Sequence, residues 1–464
     1  VVVPISSRVT TRGTRIEAGR ARREVVPIAA HRAVPRPADR GDPLPILQAQ
    51  DERRVATLVP IRHGRMLATP FTFLRGAAAL MAADLSHVPP TDLRVQLCGD
   101  AHLSNFGAFA APDRRLVADL NDFDETLPGP FEWDVKRLAA SLVVASQNSG
   151  FDPDRTRRIT EGALATYRNA IGLAAMLDPL DVWYSRVELG DLVELEREVS
   201  GKDLDKRMRK IERKAARKDR LGALAKLTEV VDGRRVIVAD PPMIVRLAPE
   251  QLRGELDRIA EFFEEYHDGL PLDRQRVLDR YSIVDLARKV VGVGSVGTLC
   301  LIVLLESGDG EPLFLQFKEA TTSVLEPYLG PSEFENSGQR VVEGQRLVQA
   351  ASDVFLGWAR YRPNDGEARD FYFRQLWDGK FSLTIEALGP KRLARYARFC
   401  GLVLARAHAR SGDPAMIAGY LGDDDEFDRA IADFAEAYAE LNRADHARLI
   451  EAVEAGELEA TPDL

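Results

Sequence analysis

Gly99-Asp100-Ala101-His102-Leu103-Ser104-Asn105 places a carboxylate, an imidazole and an amide in one short stretch. Asn121-Asp122-Phe123-Asp124-Glu125 adds three more carboxylates soon after. Asp100 on a loop can take a proton from a hydroxyl nucleophile. Asn105 and Asp122, with Asp124 beside them, offer the hard oxygens that magnesium prefers when it holds phosphates. His102 can orient its loop by hydrogen bonding. One such Asp or Asn would read as a turn residue satisfying backbone donors. Two clusters, each placed after an expected strand, aim several oxygens at one point and suit a reaction centre better.

These residues carry a resemblance. Asp100 with Asn105 five positions on resembles the catalytic loop of protein kinases. The fuller Gly-Asp-x-His-x-x-Asn form is similar to that of aminoglycoside and choline kinase-type phosphotransferases, and Asp122-Phe123-Asp124 to their magnesium-binding motif. Gly129-Pro130, then Trp133-Asp134 and an Arg-Leu-Ala helix, is similar to the helix found after that motif in the small-molecule kinases. The position before Gly99 holds Cys98, where many of those enzymes carry His. From about Arg62 to Ile450 the chain also resembles the bacterial family DUF2252. That likeness rests on Thr69-Pro70-Phe71-Thr72-Phe73-Leu74-Arg75-Gly76, Cys98-Gly99-Asp100-Ala101-His102 and Asn121-Asp122-Phe123-Asp124-Glu125.

A second group lies far downstream. Gly292-Val293-Gly294-Ser295-Val296-Gly297 fits G-x-G-x-x-G, a pattern shared by dinucleotide folds and kinase glycine loops. A dinucleotide fold needs a helix to start there. The chain instead continues with apolar Leu299 to Leu305, a Gly308-Asp309-Gly310 turn and another apolar segment. That is a β-hairpin, and it argues against an NAD enzyme. The kinase resemblance then implies that Gly292, Gly294, Ser295 and Gly297 cover the phosphates of ATP and that Lys318 grips them. It also implies a helix carboxylate pairing with Lys318. Glu343 is the candidate, with Glu333 and Glu335 as rivals. Gln375 to Asp378 is the expected hinge.

These groups need elements to hold them. Alternation predicts a strand at 93–97, residues 116–120 read as a second short strand, apolar spacing predicts a helix at 133–147, and residues 155–176, 249–266, 339–351, 391–410, 425–441 and 443–455 also read as helices. The fold class is α+β, mostly helical with one strand-rich block. A kinase runs glycine loop, lysine, helix glutamate, hinge, catalytic loop and metal Asp. Here the last two come first. A closed fold with neighbouring termini tolerates such a rearrangement. The expectation is a two-lobed, circularly permuted kinase-like fold. Residues 1–45 form a basic, disordered tail and 46–280 the first part of a helical lobe. Residues 281–380 form the β-rich nucleotide lobe, and 381–464 complete the helical lobe. The strand at Leu93 should then meet the end of the helix carrying His408, which either bonds the catalytic loop or serves as a helix C-terminal histidine favoured by the dipole.

Bulk properties narrow the function. Net charge of −9 disfavours nucleic acid as a partner. The three cysteines are scattered, without a CxxC pair, which points away from zinc and disulfides. No apolar run approaches the ~20 residues that span a membrane. A cytoplasmic protein is expected. The basic stretch 202–226 reads as a solvated helix face. The leading expectation is an ATP- and Mg²⁺-dependent phosphotransferase with a small-molecule acceptor. A nucleotidyl- or glutamyl-transferring enzyme on the same fold, and a non-catalytic nucleotide-binding protein, remain the alternatives.

Overall fold

The computed structural model describes residues 10–35, 40–188, 227–247, 256–290, 296–363, 366–376 and 383–461. Gly292, Gly294, Ser295, the basic stretch 202–226 and the second half of the expected hinge lie outside them. The fold is α+β.

The helix Glu132–Asn148 runs through the centre and is buried from Glu132 to Ser146. Its Ala, Val and Leu side chains cover the whole circumference, as a helix enclosed on all sides requires. Pro153–Met176, Pro390–Ser411 and Glu426–Glu454 pack around it in one core. The last is a single helix, not the two segments expected at 425–441 and 443–455. Nothing at the assumed break, Asn442-Arg443, stops a helix as Gly or Pro would. Both join the run, and the buried Asn442 donates to the Pro70 carbonyl at 2.9 Å.

Strand β1 (Arg94–Leu97), β2 (Phe106–Ala110), β3 (Leu116–Leu120), β4 (Leu127–Pro130) and β5 (Val187–Glu188) form two small sheets, β1-β4 and β2-β3-β5. The first acidic loop joins β1 to β2 and the second joins β3 to β4. Asn121 N–H donates to the Asn105 carbonyl at 2.9 Å, clasping one loop to the other.

Strands β6 (Thr228–Val231) and β7 (Arg234–Ile237) make a hairpin. A six-stranded antiparallel sheet contains β8 (Ile244–Arg246), β9 (Tyr281–Lys289), β10 (Cys300–Ser307), β11 (Pro312–Ala320), β12 (Gly357–Tyr361) and β13 (Arg369–Gln375), in the order β12-β13-β11-β10-β9-β8. The sheet thus begins before residue 281. Val303, Leu305, Leu315 and Phe317 face the helix Leu256–Asp268, whose Tyr266 stacks on Phe373 at 3.9 Å. Ile302, Leu304 and Phe314 pack on the opposite face with Ile237 and Ile244. Both faces are covered, so the strands read as continuous apolar runs.

The N-terminal segment is not a loose tail. Arg12–Val25 is a helix laid against Pro414–Leu421. Its arginines have tertiary partners: Arg15 pairs with Asp413 at 3.1 Å, Arg22 Nε donates to the Thr91 carbonyl and Arg23 to the Tyr420 carbonyl. A basic composition suggested solvation, whereas each guanidinium here answers a carboxylate or a helix-end carbonyl.

β1 lies beside the end of Pro390–Ser411. Gln96 N–H donates to Ser411 Oγ at 3.2 Å.

Candidate functional site

The charges on the central helix organise the first loop. Asp134 accepts the backbone N–H groups of Cys98 at 2.7 Å and Gly99 at 3.1 Å. His408 Nε2 stands 3.4 Å from the same carboxylate, and its Nδ1 bonds Tyr167 at 2.8 Å. His408 therefore supports the loop through Asp134. Backbone donors do the anchoring, so Cys98 costs the loop no fastening. Its thiol donates to the Asp122 carbonyl at 3.1 Å. Gly99 sits at φ +85°, and a Cβ there would meet the Glu125 carbonyl oxygen at 2.3 Å. Only glycine fits on both counts.

Arg137 Nε donates to Asp100 Oδ1 at 2.7 Å. Burial pushes the Asp100 carboxyl up to about 6, against the pull of Arg137. Asn105 Nδ2 donates to the Asp100 carbonyl at 2.6 Å. His102 Nδ1 accepts Ser104 N–H at 3.1 Å, which leaves the ring proton on Nε2, 3.6 Å from Asp100 Oδ2. Burial, with Arg75 and Arg137 nearby, holds His102 well below the ordinary histidine range, so the ring is neutral.

The second loop meets the large sheet. Period-2 alternation puts Gln316 and Lys318 of β11 on one face, opposite Arg374 and Tyr372 of β13. Lys318 Nζ forms an ion pair with Asp124 Oδ2, and Tyr372 Oη donates to Asp124 Oδ1 at 2.9 Å. Burial would raise the Asp124 carboxyl, but Lys318 and Tyr372 hold it down at about 2. Burial likewise opposes charge on Lys318, yet Asp124 raises its pKa above the ordinary lysine value. Asp122 Oδ1 accepts Asp124 N–H at 3.3 Å. Glu125 Oε2 accepts Val324 N–H at 2.8 Å, and burial pushes that carboxyl up to about 7.

Glu343 does not play the part expected of it. It pairs with Arg346 at 2.9 Å, one turn along its own helix, while Lys318 takes Asp124. Arg340 is the residue of that helix, Ser337–Val348, that reaches the acidic loop. It donates to the carbonyls of Thr126 at 2.7 Å, Asp124 at 2.8 Å and Thr321 at 2.8 Å. Gly297 stands just ahead of β10, and its carbonyl accepts Val55 N–H at 2.7 Å. The preceding run joins the antiparallel pair β9 and β10, and β10, not a helix, comes after it. Gln375 closes β13.

Asp100, His102, Asn105, Asp122, Asp124 and Lys318 thus converge. Sequence reasoning missed Arg340 and Tyr372 altogether. Asp134 and Arg137 had a partial signal: with Glu132 and Lys136 they charge the first turns of a helix whose later turns are mostly apolar.

The oxygen set also bears on a metal. Among the described residues no three His, Cys, Asp or Glu side chains converge as a cage. Magnesium keeps several waters and takes one or two carboxylates with substrate phosphates. Asp122, Asp124 and the amide oxygen of Asn105 meet that need. Next to Asp122, the Asn121 Oδ1 is buried and has no hydrogen-bond partner among the described residues, another oxygen that a hydrated cation would satisfy. The residues present fit the ion.

These features define an α+β protein in which an antiparallel sheet delivers a buried lysine to an acidic loop of the helical part. The family model described as "Uncharacterized protein conserved in bacteria (DUF2252)" matches residues 54–452, and the chain belongs to that family. No curated protein and no solved structure matches it. Among the described residues no helix is long and apolar enough to cross a membrane.

Proposed function

We propose that the protein is an ATP- and Mg²⁺-dependent phosphotransferase with a small hydroxyl-bearing acceptor, built on a circularly permuted kinase-like fold. The observation that carries this reading is the meeting of Lys318 with Asp124, beside the loop of Asp100 and Asn105. A phosphate grip and a metal-binding loop from distant parts of the chain serve one triphosphate.

Lys318 holds the phosphates once they replace Asp124 as its partner. Asn105, Asp122 and Asp124 would hold magnesium, which neutralises phosphate charge when bound. Asp100, steadied by Arg137, takes the proton of the acceptor hydroxyl as the new oxygen–phosphorus bond forms and the bond to the leaving diphosphate breaks. Such chemistry asks mainly for positioning and charge neutralisation. The adjacency of β1 to the end of Pro390–Ser411 supports the permuted connection.

Thermal-shift titration tests the reading. ATP with Mg²⁺ should stabilise the chain by mass action, and Lys318→Met should abolish the shift. No response to any nucleoside triphosphate sinks it. Release of pyrophosphate rather than ADP would turn it into nucleotidyl transfer.

A further inference from the structure

We infer that Arg75 is the anion-recognising residue of an acceptor subsite beside Asp100, and that the acceptor carries a carboxylate or phosphate group. The acceptor role rests on the phosphotransfer reading above; the anion site itself does not.

Arg75 lies in the last turn of the helix Pro70–Gly76. The Leu74 carbonyl accepts Arg137 Nη2 at 2.6 Å, and Arg137 Nε holds Asp100 Oδ1 at 2.7 Å. One guanidinium therefore fastens this helix end to the carboxylate of the candidate base. Arg75 is the next residue along. Its side chain is half-buried, its Nε is shut off from solvent, and among the described residues it has no hydrogen-bond or ion-pair partner. The arginines around the site are otherwise used: Arg62 pairs with Asp51, Arg137 with Asp100, and Arg340 with three carbonyls.

The charges that bear on Arg75 lie beyond ion-pair range. Glu386 and Asp100 attract it and Arg65 repels it, while burial weighs against its charge. Only Nε of this guanidinium is shut off from water, and a partly buried cation without a counter-ion is costly to keep. An oxyanion would supply two parallel charge-assisted hydrogen bonds to its planar fork. Its electrical neighbours are His102 and Asp100, not Lys318 and Asp124. That places the anion on the acceptor side of the site rather than among nucleotide phosphates. An acceptor anchored there has its hydroxyl turned toward Asp100.

The test labels the full chain with phenylglyoxal, reads Arg75 by peptide mass spectrometry, and uses malonate and inorganic phosphate as protecting probes. One of the two should protect Arg75 saturably, and which one distinguishes a carboxylate from a phosphate. The same anion should stabilise the protein in thermal shift. Arg75→Gln should weaken that response about tenfold, as expected for loss of a bidentate charged pair, while the ATP–Mg²⁺ shift persists. Arg75→Lys keeps the charge and should keep part of the response, which covers a failure of Arg75→Gln to fold. The inference is overturned if neither anion protects Arg75, or if both variants respond like the parent. It is also overturned if Lys318→Met, rather than an Arg75 variant, removes the anion response. Protection of Arg75 without any ATP response would leave the anion site standing and remove the phosphotransfer reading alone.

Discussion

Asp124 and Lys318, 194 residues apart in the chain, form a buried ion pair that joins the acidic loop to the large sheet. Removing one partner leaves the other charged and away from water. Lys318→Met or Asp124→Asn should therefore cost on the order of 3–5 kcal/mol. The double variant should lose clearly less than the sum, because neither charge is then stranded. Urea unfolding of the four proteins measures the coupling. Additive losses would mean that the pair contributes nothing jointly.

Asp100 gives the protein opposed pH slopes. Its carboxyl stands at about 6 in the folded chain against an ordinary value of 3.8. The native state thus binds this proton more tightly than the unfolded chain. That contribution to stability is complete below about 3.8 and is lost as pH climbs through 6. Turnover should run the other way, since the base acts ionised: ADP release should rise through pH 6 and level off above it. Asp100→Asn should retain ATP binding and lose most turnover. An acid limb near the ordinary Asp range would show that burial does not govern this group.

Arg340 holds three carbonyls with a side chain that is 2 % exposed. Arg340→Ala would leave those acceptors unpaired inside the protein. Each charged hydrogen bond contributes about 1.5–3 kcal/mol, so a loss of several kcal/mol is expected, with weaker Mg²⁺–ATP binding as the loop slackens. Glu343→Gln, which gives up an ion pair with Arg346 at a partly exposed position, should shift stability by less than about 1 kcal/mol. Denaturant midpoints for the two variants separate these roles on one helix.

The N-terminal helix offers a packing test. A Cβ on Gly19 would lie 1.9 Å from the Met416 carbonyl oxygen. Gly19→Ala must push two helices apart and should destabilise by about 1–3 kcal/mol. A solvated tail would be indifferent to that change, so an unaltered melting temperature would contradict the docking.

Much of this is legible in the order of residues. The two acidic loops come after β1 and β3 as expected, because each strand is a short run bounded by turn-forming residues. The glycine run leads into a strand rather than a helix for the same reason: Leu299 to Leu305 is bounded by a turn and is too short for a helix. The N-terminal helix misleads because composition reports charge, not partners. Its arginines become informative only when Asp413 and the Tyr420 carbonyl stand opposite them.

The sequence by itself determined the residue types at the site, the loops that present them and the α+β class, since these depend on local spacing and turn chemistry. Which charges pair was decided by tertiary structure alone. Lys318 had Glu343 as a plausible partner at helix spacing, yet it faces Asp124, because the pairing of β11 with β13 sets the direction of its side chain and the packing of Arg340 on Thr126 sets the distance of the loop. Ion pairs are through-space interactions governed by the distance between side chains, so nothing in linear order specifies them. The open fork of Arg75 is likewise a fact of packing: only the tertiary placement of the described carboxylates shows that none of them pairs with it.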